Sequence, residues 1–173
     1  MYQLAKLKES VRIPPALFSD NMSQSALKIV RDEYERTVQR EHGILVSLHN
    51  AKIISKGKVI PGDGAAYFDV EFDALVFNPV VNEVIMGEIS EIVEFGAFVR
   101  MGPIDGLVHV SQFADDFFTF DKKKNIIVGR KTKAVVKKGD VVKAKVATVS
   151  FKDNIPNSKI ALTMRPAGLG KVK

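Results

Sequence analysis

Apolar and polar positions alternate in several registers along this chain, and the register changes at glycine and proline. At the start, Tyr2, Leu4, Leu7 and Val11 stand in an extended pattern that halts at Pro14-Pro15, which predicts a strand. A helix is expected to follow. Proline lacks a backbone donor that the first helical turn does not need, and Leu27, Val30, Tyr34 and Val38 then recur at three- and four-residue steps as one apolar stripe. Lys28, Arg31, Asp32, Glu35 and Arg36 fill the other faces, and Gly43 marks the expected end. Such a helix packs on a sheet. Residues 44–54, rich in Ile, Leu and Val, predict a strand of it; the loop Ser55-Lys56-Gly57-Lys58 and the turn Pro61-Gly62-Asp63-Gly64 come next. Over residues 67–77 the alternation is strict: Phe68, Val70, Phe72, Ala74 and Val76 share one face, Asp69, Glu71 and Asp73 the other. That is a half-buried antiparallel strand.

Asn78-Pro79 breaks the pattern, and the module boundary is expected near Asn82, with an α+β unit over 1–81 and a second unit over 82–173. The second half reads as all-β. Residues 84–93, 95–101, 106–110, 141–149 and 159–164 predict five short strands, the number in an OB-type barrel. Ile85, Gly87 and Ile89 give way to Ile92, so the period slips by one, and a bulge or glycine-assisted bend is expected near Ser90-Glu91 to let a small barrel close. Residues 114–138 interrupt the strands as a long inserted loop holding Asp115-Asp116-Phe117-Phe118 and Lys122-Lys123-Lys124.

With 46% hydrophobic and 27% charged residues among 173, the chain can bury one or two cores. No apolar run approaches the roughly 20 residues of a membrane helix, so no span is expected. Residues 1–12 alternate apolar side chains with Lys6, Lys8, Glu9 and Arg12, so no secretory signal is expected there. The absence of cysteine excludes disulfides, thiolate nucleophiles and Cys-type zinc sites, and a cytoplasmic protein is the simplest reading.

Charge sharpens the division. Residues 1–82 carry ten Lys or Arg and ten Asp or Glu, residues 83–121 one and eight, and residues 122–173 fifteen and two. The second half therefore has a side suited to a polyanion, although lysines that merely solvate strands would leave the same counts.

Side-chain parity supplies the candidate chemistry. If Ala97 and Val99 point inward, Phe98 and Arg100 point outward, and Gly96 provides a bend from which Phe95 stays exposed. His109 faces out between Val108 and Val110; Lys143 and Lys145 alternate outward; Lys159 and Arg165 flank an inward-pointing strand. Aromatic faces stack bases while cations meet phosphates, so this set predicts a site for single-stranded nucleic acid.

Gly87, Ile89, Phe95-Gly96-Ala97-Phe98-Val99, Asp105-Gly106-Leu107-Val108-His109-Val110-Ser111, Gly139-Asp140-Val142 and Ile160-Ala161-Leu162-Thr163 together resemble the S1 domain of RNA-binding proteins. That resemblance covers about residues 82–165 and implies RNA contacts at Phe95, Phe98 and His109, the positions that parity selects. Val11-Arg12-Ile13-Pro14-Pro15, the Pro61-Gly62-Asp63-Gly64-Ala65 turn, residues 70–77 and the ending Leu162-Thr163-Met164-Arg165 with Gly168-Leu169-Gly170-Lys171 widen it. End to end, the chain resembles the E-prime family of archaeal DNA-directed RNA polymerase components, the counterparts of the seventh subunit of eukaryotic RNA polymerase II. The resemblance implies an RNP-like first module that docks on the RNA polymerase core subunits through a tip at Pro61, Gly62, Asp63 and Gly64. It also implies a heterodimer with the polymerase's small helical F subunit, a stalk that handles nascent single-stranded RNA and aids initiation and elongation, and neither cofactor nor catalysis of its own. The alternative is a freestanding S1 factor of translation or RNA decay.

Other chemistry is weaker. Asp69, Glu71 and Asp73 lack a further ligand at metal spacing and read as a solvated or subunit-facing strand edge. His42 and His49 have no triad-like neighbours, and the glycine turn lacks the Lys-Ser/Thr ending of a phosphate loop.

Overall fold

The computed structural model describes residues 1–18 and 21–172. The chain divides into two units, one of Met1–Asn78 with Asp153–Ile155, the other of Pro79–Lys152 with the stretch from Pro156. In the first, the elements are β1 (Tyr2–Ile13), α1 (Met22–Tyr34), β2 (Val38–Gln39), β3 (Gly43–Ile53), β4 (Lys58–Val59) and β5 (Ala66–Phe77). The sheet runs β1-β5-β3-β2, with β4 also on β5. β1 and β5 pair antiparallel along their whole length, from Tyr2 opposite Phe77 to Ile13 opposite Ala66.

Strict alternation on β5 decides what is buried: Val70, Phe72, Ala74 and Val76 meet Ala26 and Val30 of α1 in one core with Leu45 and Leu48. On β1 the buried parity is Leu7, Val11 and Ile13, so Tyr2 and Leu4 lie on the opposite, exposed face, Leu4 at 84%. The expected grouping of Tyr2 and Leu4 with Leu7 and Val11 mixes two parities.

The helix is shorter than the stripe predicts. Pro15 opens a separate 3-10 turn, Pro15–Leu17, and α1 starts after Asn21, whose side chain accepts the Gln24 N–H at 3.2 Å. It ends at Tyr34 because Arg36 (φ 62) turns the chain and its N–H bonds to Leu45 O at 2.8 Å, drawing Val38 into the sheet. Gly43 begins β3 instead of ending α1. Its φ of +80 and the Phe77 carbonyl, 2.5 Å from where a Cβ would stand, both require glycine. The acids of β5 are not on an edge either, because β5 lies between β1 and β3. Glu71 pairs with Lys6 and Lys8 at 3.7 and 3.6 Å, and Asp73 accepts from Asn50 at 2.9 Å.

The second unit contains β6 (Val84–Val93), β7 (Gly96–Arg100), β8 (Asp105–His109), β9 (Phe118–Asp121), β10 (Ile126–Gly129), β11 (Val135–Lys137), β12 (Val141–Ser150), β13 (Lys159–Thr163) and β14 (Gly170–Lys171). β13-β8-β7-β6-β12 close on themselves through a β12–β13 pairing, with β8 and β13 parallel, which is the expected five-stranded barrel. The slip expected near Ser90-Glu91 is a register shift between Ile89 and Glu91 opposite β7. Residues 114–138 are not a plain loop. They hold a three-stranded antiparallel sheet, β11-β10-β9, because Phe118, Ile127 and Val136 bury together enough apolar surface to order it. β14, which pairs with β12, carries Lys171 to Asp140 at 2.8 Å.

No helix among the described residues is long and apolar enough to cross a membrane.

Candidate nucleic-acid interface

The outward rungs of β7 and β8 set the face. Gly96 stands opposite His109, Phe98 opposite Leu107, and Arg100 opposite Asp105; on the other side of β7, Glu91 faces Phe98 and Glu88 faces Arg100. A Cβ on Gly96 would strike Val108 O and come within 3.1 Å of His109 Cα, so glycine lets these strands approach and leaves no side chain opposite His109. Phe95 sits in the turn ahead of β7 and is 50% exposed, while its carbonyl accepts the Val110 N–H at 3.0 Å, which pins it beside the end of β8. Phe98 is half-buried and His109 exposed.

His109 has a defined donor. Its Nδ1 lies 3.3 Å from the Ser111 backbone nitrogen and 2.9 Å from the Ser111 hydroxyl. A backbone N–H only donates, so Nδ1 accepts and the proton of the neutral ring sits on Nε2, available to a base edge or phosphate.

The cations expected on this face are divided by the strand register. Arg100 adjoins Phe98, but Glu88 and Asp105 flank it. Lys159 precedes the Ile160–Gly106 rung and so lies level with Asp105. Arg165 follows β13 to the level of Ser111 and reaches Asp115 at 2.9 Å. Lys143 and Lys145 stand opposite Met86 and Val84. Glu91, the neighbour of Phe98, is five positions along β6 from Met86 and seven from Val84, which puts Lys143 roughly 16 Å and Lys145 roughly 23 Å along the strand from the Phe98 rung. They form a separate patch. Parity alone missed Leu107, the neighbour of Phe98, and Ser111, the orienter of His109; a search for polar residues two positions from the histidine finds the second.

At the tip of the first unit the Ile60 carbonyl accepts the Asp63 N–H at 3.0 Å, and Gly62 has φ +91 after Pro61, the arrangement of a type II turn. The Asp63 carboxylate accepts Arg12 Nε and Nη2 at 2.8 and 2.6 Å, the Tyr67 hydroxyl at 2.8 Å and the Ala65 N–H at 3.1 Å. Chiefly through the Arg12 hydrogen bonds, its pKa is held well below the usual carboxylate range, and that of Arg12 is pushed up. Asp63 therefore fastens the loop to β1 and β5. What the tip presents is Pro61, Gly62 and Gly64 beside exposed Val59 and Ile60. Among the described residues no group of three or more His, Asp or Glu is placed to hold a metal ion.

Sequence comparison divides the chain in the same order. Residues 8–64 match the SHS2 domain found in the N terminus of Rpb7p/Rpc25p/MJ0397, and residues 78–152 match the S1 RNA binding domain. A relative from Sulfolobus acidocaldarius, DNA-directed RNA polymerase subunit Rpo7, is 42% identical over all of this chain and 94% of its own length. Its namesake from Saccharolobus solfataricus is 41% identical over all of this chain and 96% of its own. Ribonuclease R of Mycoplasma genitalium is 39% identical over 44% of this chain and 11% of its own length.

Proposed function

Because the chain belongs to the Rpo7 family of DNA-directed RNA polymerase subunits, we propose that it is a non-catalytic stalk component, docked on the polymerase core in the cytoplasm, that holds single-stranded nascent RNA. The RNA contact is the β7–β8 face. Phe95 and Phe98 offer ring surface for bases and His109 a donor, with Arg100, Lys159 and Arg165 at the margins and Lys143 and Lys145 meeting phosphates of a longer strand. The observation that supports this most is the coincidence of exposed Phe95, in the turn before β7, with half-buried Phe98 and exposed His109 on neighbouring outward rungs of an S1 barrel.

Core docking falls to the tip at Pro61, Gly62, Asp63 and Gly64, with Asp63 as its internal brace and the apolar Val59 and Ile60 as contact surface. Exposed Tyr2 and Leu4 of the first unit are apolar surface for the small helical F subunit to cover in a heterodimer. In that assembly the chain aids initiation and elongation. The freestanding-factor reading draws on the Ribonuclease R likeness, which leaves more than half of this chain unaccounted for.

Affinity purification of the tagged chain from its own cells separates the two. Recovery of the large polymerase subunits with a small helical partner is expected; ribosomes or an exoribonuclease in their place would remove the stalk reading.

A further inference from the structure

The inserted sheet has no assigned role, yet it is built against the end of the RNA face. Phe118 of β9 packs on Phe113 with ring centroids 5.4 Å apart, which fixes the insertion to the segment following His109. Next to it Phe117 is 73% exposed, the most exposed phenylalanine on the protein's described surface. Arg130 lies over that ring, its guanidinium carbon 5.9 Å from the centroid.

This pair is held in place before any ligand arrives. Arg130 N–H bonds to Phe117 O at 2.8 Å. The Asp116 carboxylate accepts from the Phe117, Lys131 and Thr132 N–H groups at 2.6, 3.0 and 2.8 Å and from the Thr132 hydroxyl at 2.8 Å. Those donors, the Thr132 N–H foremost, hold its pKa down at about 2. Between this sheet and the barrel lies an open cleft of about 440 Å³, lined by Ser111, Phe117, Lys131 and Arg165 among others. Ser111 is the residue that orients His109, so the cleft continues the β7–β8 face.

The charge of the insertion suits a polyanion. Residues 114–138 contain eight Lys or Arg and three Asp. All three acids are engaged: Asp115 with Arg165, Asp116 as above, and Asp121 with the Lys123 and Lys124 N–H groups at 2.9 and 3.3 Å. An exposed ring beside cations is what a sequence-tolerant contact to single strands uses.

We propose that the inserted sheet is a second contact for the same RNA: a single strand leaving Phe98 and His109 passes Ser111 into the cleft and stacks a further base on Phe117, with Arg130, Lys131 and Arg165 meeting its phosphates. This rests on the β7–β8 face being the primary contact, and it lengthens the track by the span of the cleft. Arg165 exchanges Asp115 for a phosphate when the strand enters.

The test uses the full chain and oligouridines of about 4 and about 12 nucleotides, the range of OB-fold site sizes. Phe117→Ala is expected to weaken the longer oligomer roughly tenfold, as loss of one stacked base predicts, and to leave the shorter one unchanged. Phe98→Ala should weaken both. If Phe117→Ala binds the longer oligomer like the parent while Phe98→Ala loses affinity, the inference fails and the barrel face stands. If neither variant loses affinity, both fall. The chain has no tryptophan, so Phe117→Trp gives a single reporter at the site. Its fluorescence should be quenched by the longer oligomer and not by the shorter; no quenching by either overturns the second contact.

Discussion

Arg12 in β1 and Asp63 in the tip turn, 51 positions apart in sequence, are joined by two hydrogen bonds of 2.8 and 2.6 Å. The pair turns a glycine-rich loop into a fixed projection, since Tyr67 and Ala65 hold the same carboxylate from the other side. Its charge is satisfied within the first unit, which leaves backbone and the apolar side chains of Val59 and Ile60 exposed at the turn.

Loss of this carboxylate has a pH signature. The folded-state pKa of Asp63 is depressed, so its contribution to stability is present above the ordinary carboxylate value of about 4 and is lost as pH falls below it toward the folded-state pKa. Asp63→Asn is therefore expected to lower the melting temperature at neutral pH and to flatten its decline between neutral and strongly acidic pH. Thermal denaturation at a series of pH values reads both. Parallel curves for parent and variant would count against the brace.

The two tip glycines are expected to behave differently. Gly62 has φ +91, where a β-branched side chain is strained, whereas the backbone of Gly64 is not left-handed and nothing lies within 4 Å of its would-be Cβ. Gly62→Val should reduce incorporation into reconstituted polymerase by more than Gly64→Val, and both should keep RNA affinity. Equal incorporation of the two variants would reject a role for the turn geometry.

For the RNA face, Phe98→Ala combined with His109→Ala is expected to weaken single-stranded RNA by about tenfold or more, from one lost stacking platform and one lost donor. Because neither residue belongs to the buried core, the barrel should melt within a few degrees of the parent. Filter binding and circular dichroism give the two readouts, and unchanged affinity would remove the stacking face.

Salt should separate the two cationic patches. RNA affinity is expected to fall log-linearly with salt, with a slope of about −0.7 per phosphate neutralised. Lys143→Ala with Lys145→Ala should shallow that slope for a long strand only, because these lysines stand roughly 16 to 23 Å along the strand from the Phe98 rung. A flat salt response, or an equal change with the shortest oligomers, would contradict this placement.

Much of this was legible in the residues themselves because it is local. The period of two on β5 fixed which side chains enter the core, and the one-residue slip after Ile89 marked the bulge before any pairing was known. Parity also placed Phe98, Arg100 and His109 outward, whereas glycine at 96 is required by the close approach of Val108 O and not by a bend at Phe95. Helix α1 was legible as an apolar stripe, but its end was not, because hydrogen bonds between Leu45 and residues 36 and 37 override the stripe.

The sequence by itself determined the order of two modules, the faces of their strands and the kinds of side chain offered to a partner, since these follow from alternation and turn chemistry within a few neighbouring residues. Only the tertiary structure decided which of those side chains are neighbours. It set Asp63 against Arg12, moved Lys143 and Lys145 away from Phe98, and ordered the insertion around Phe118, Ile127 and Val136. Register between strands far apart in the chain is a property of the closed ladder and its core, and no local pattern records it.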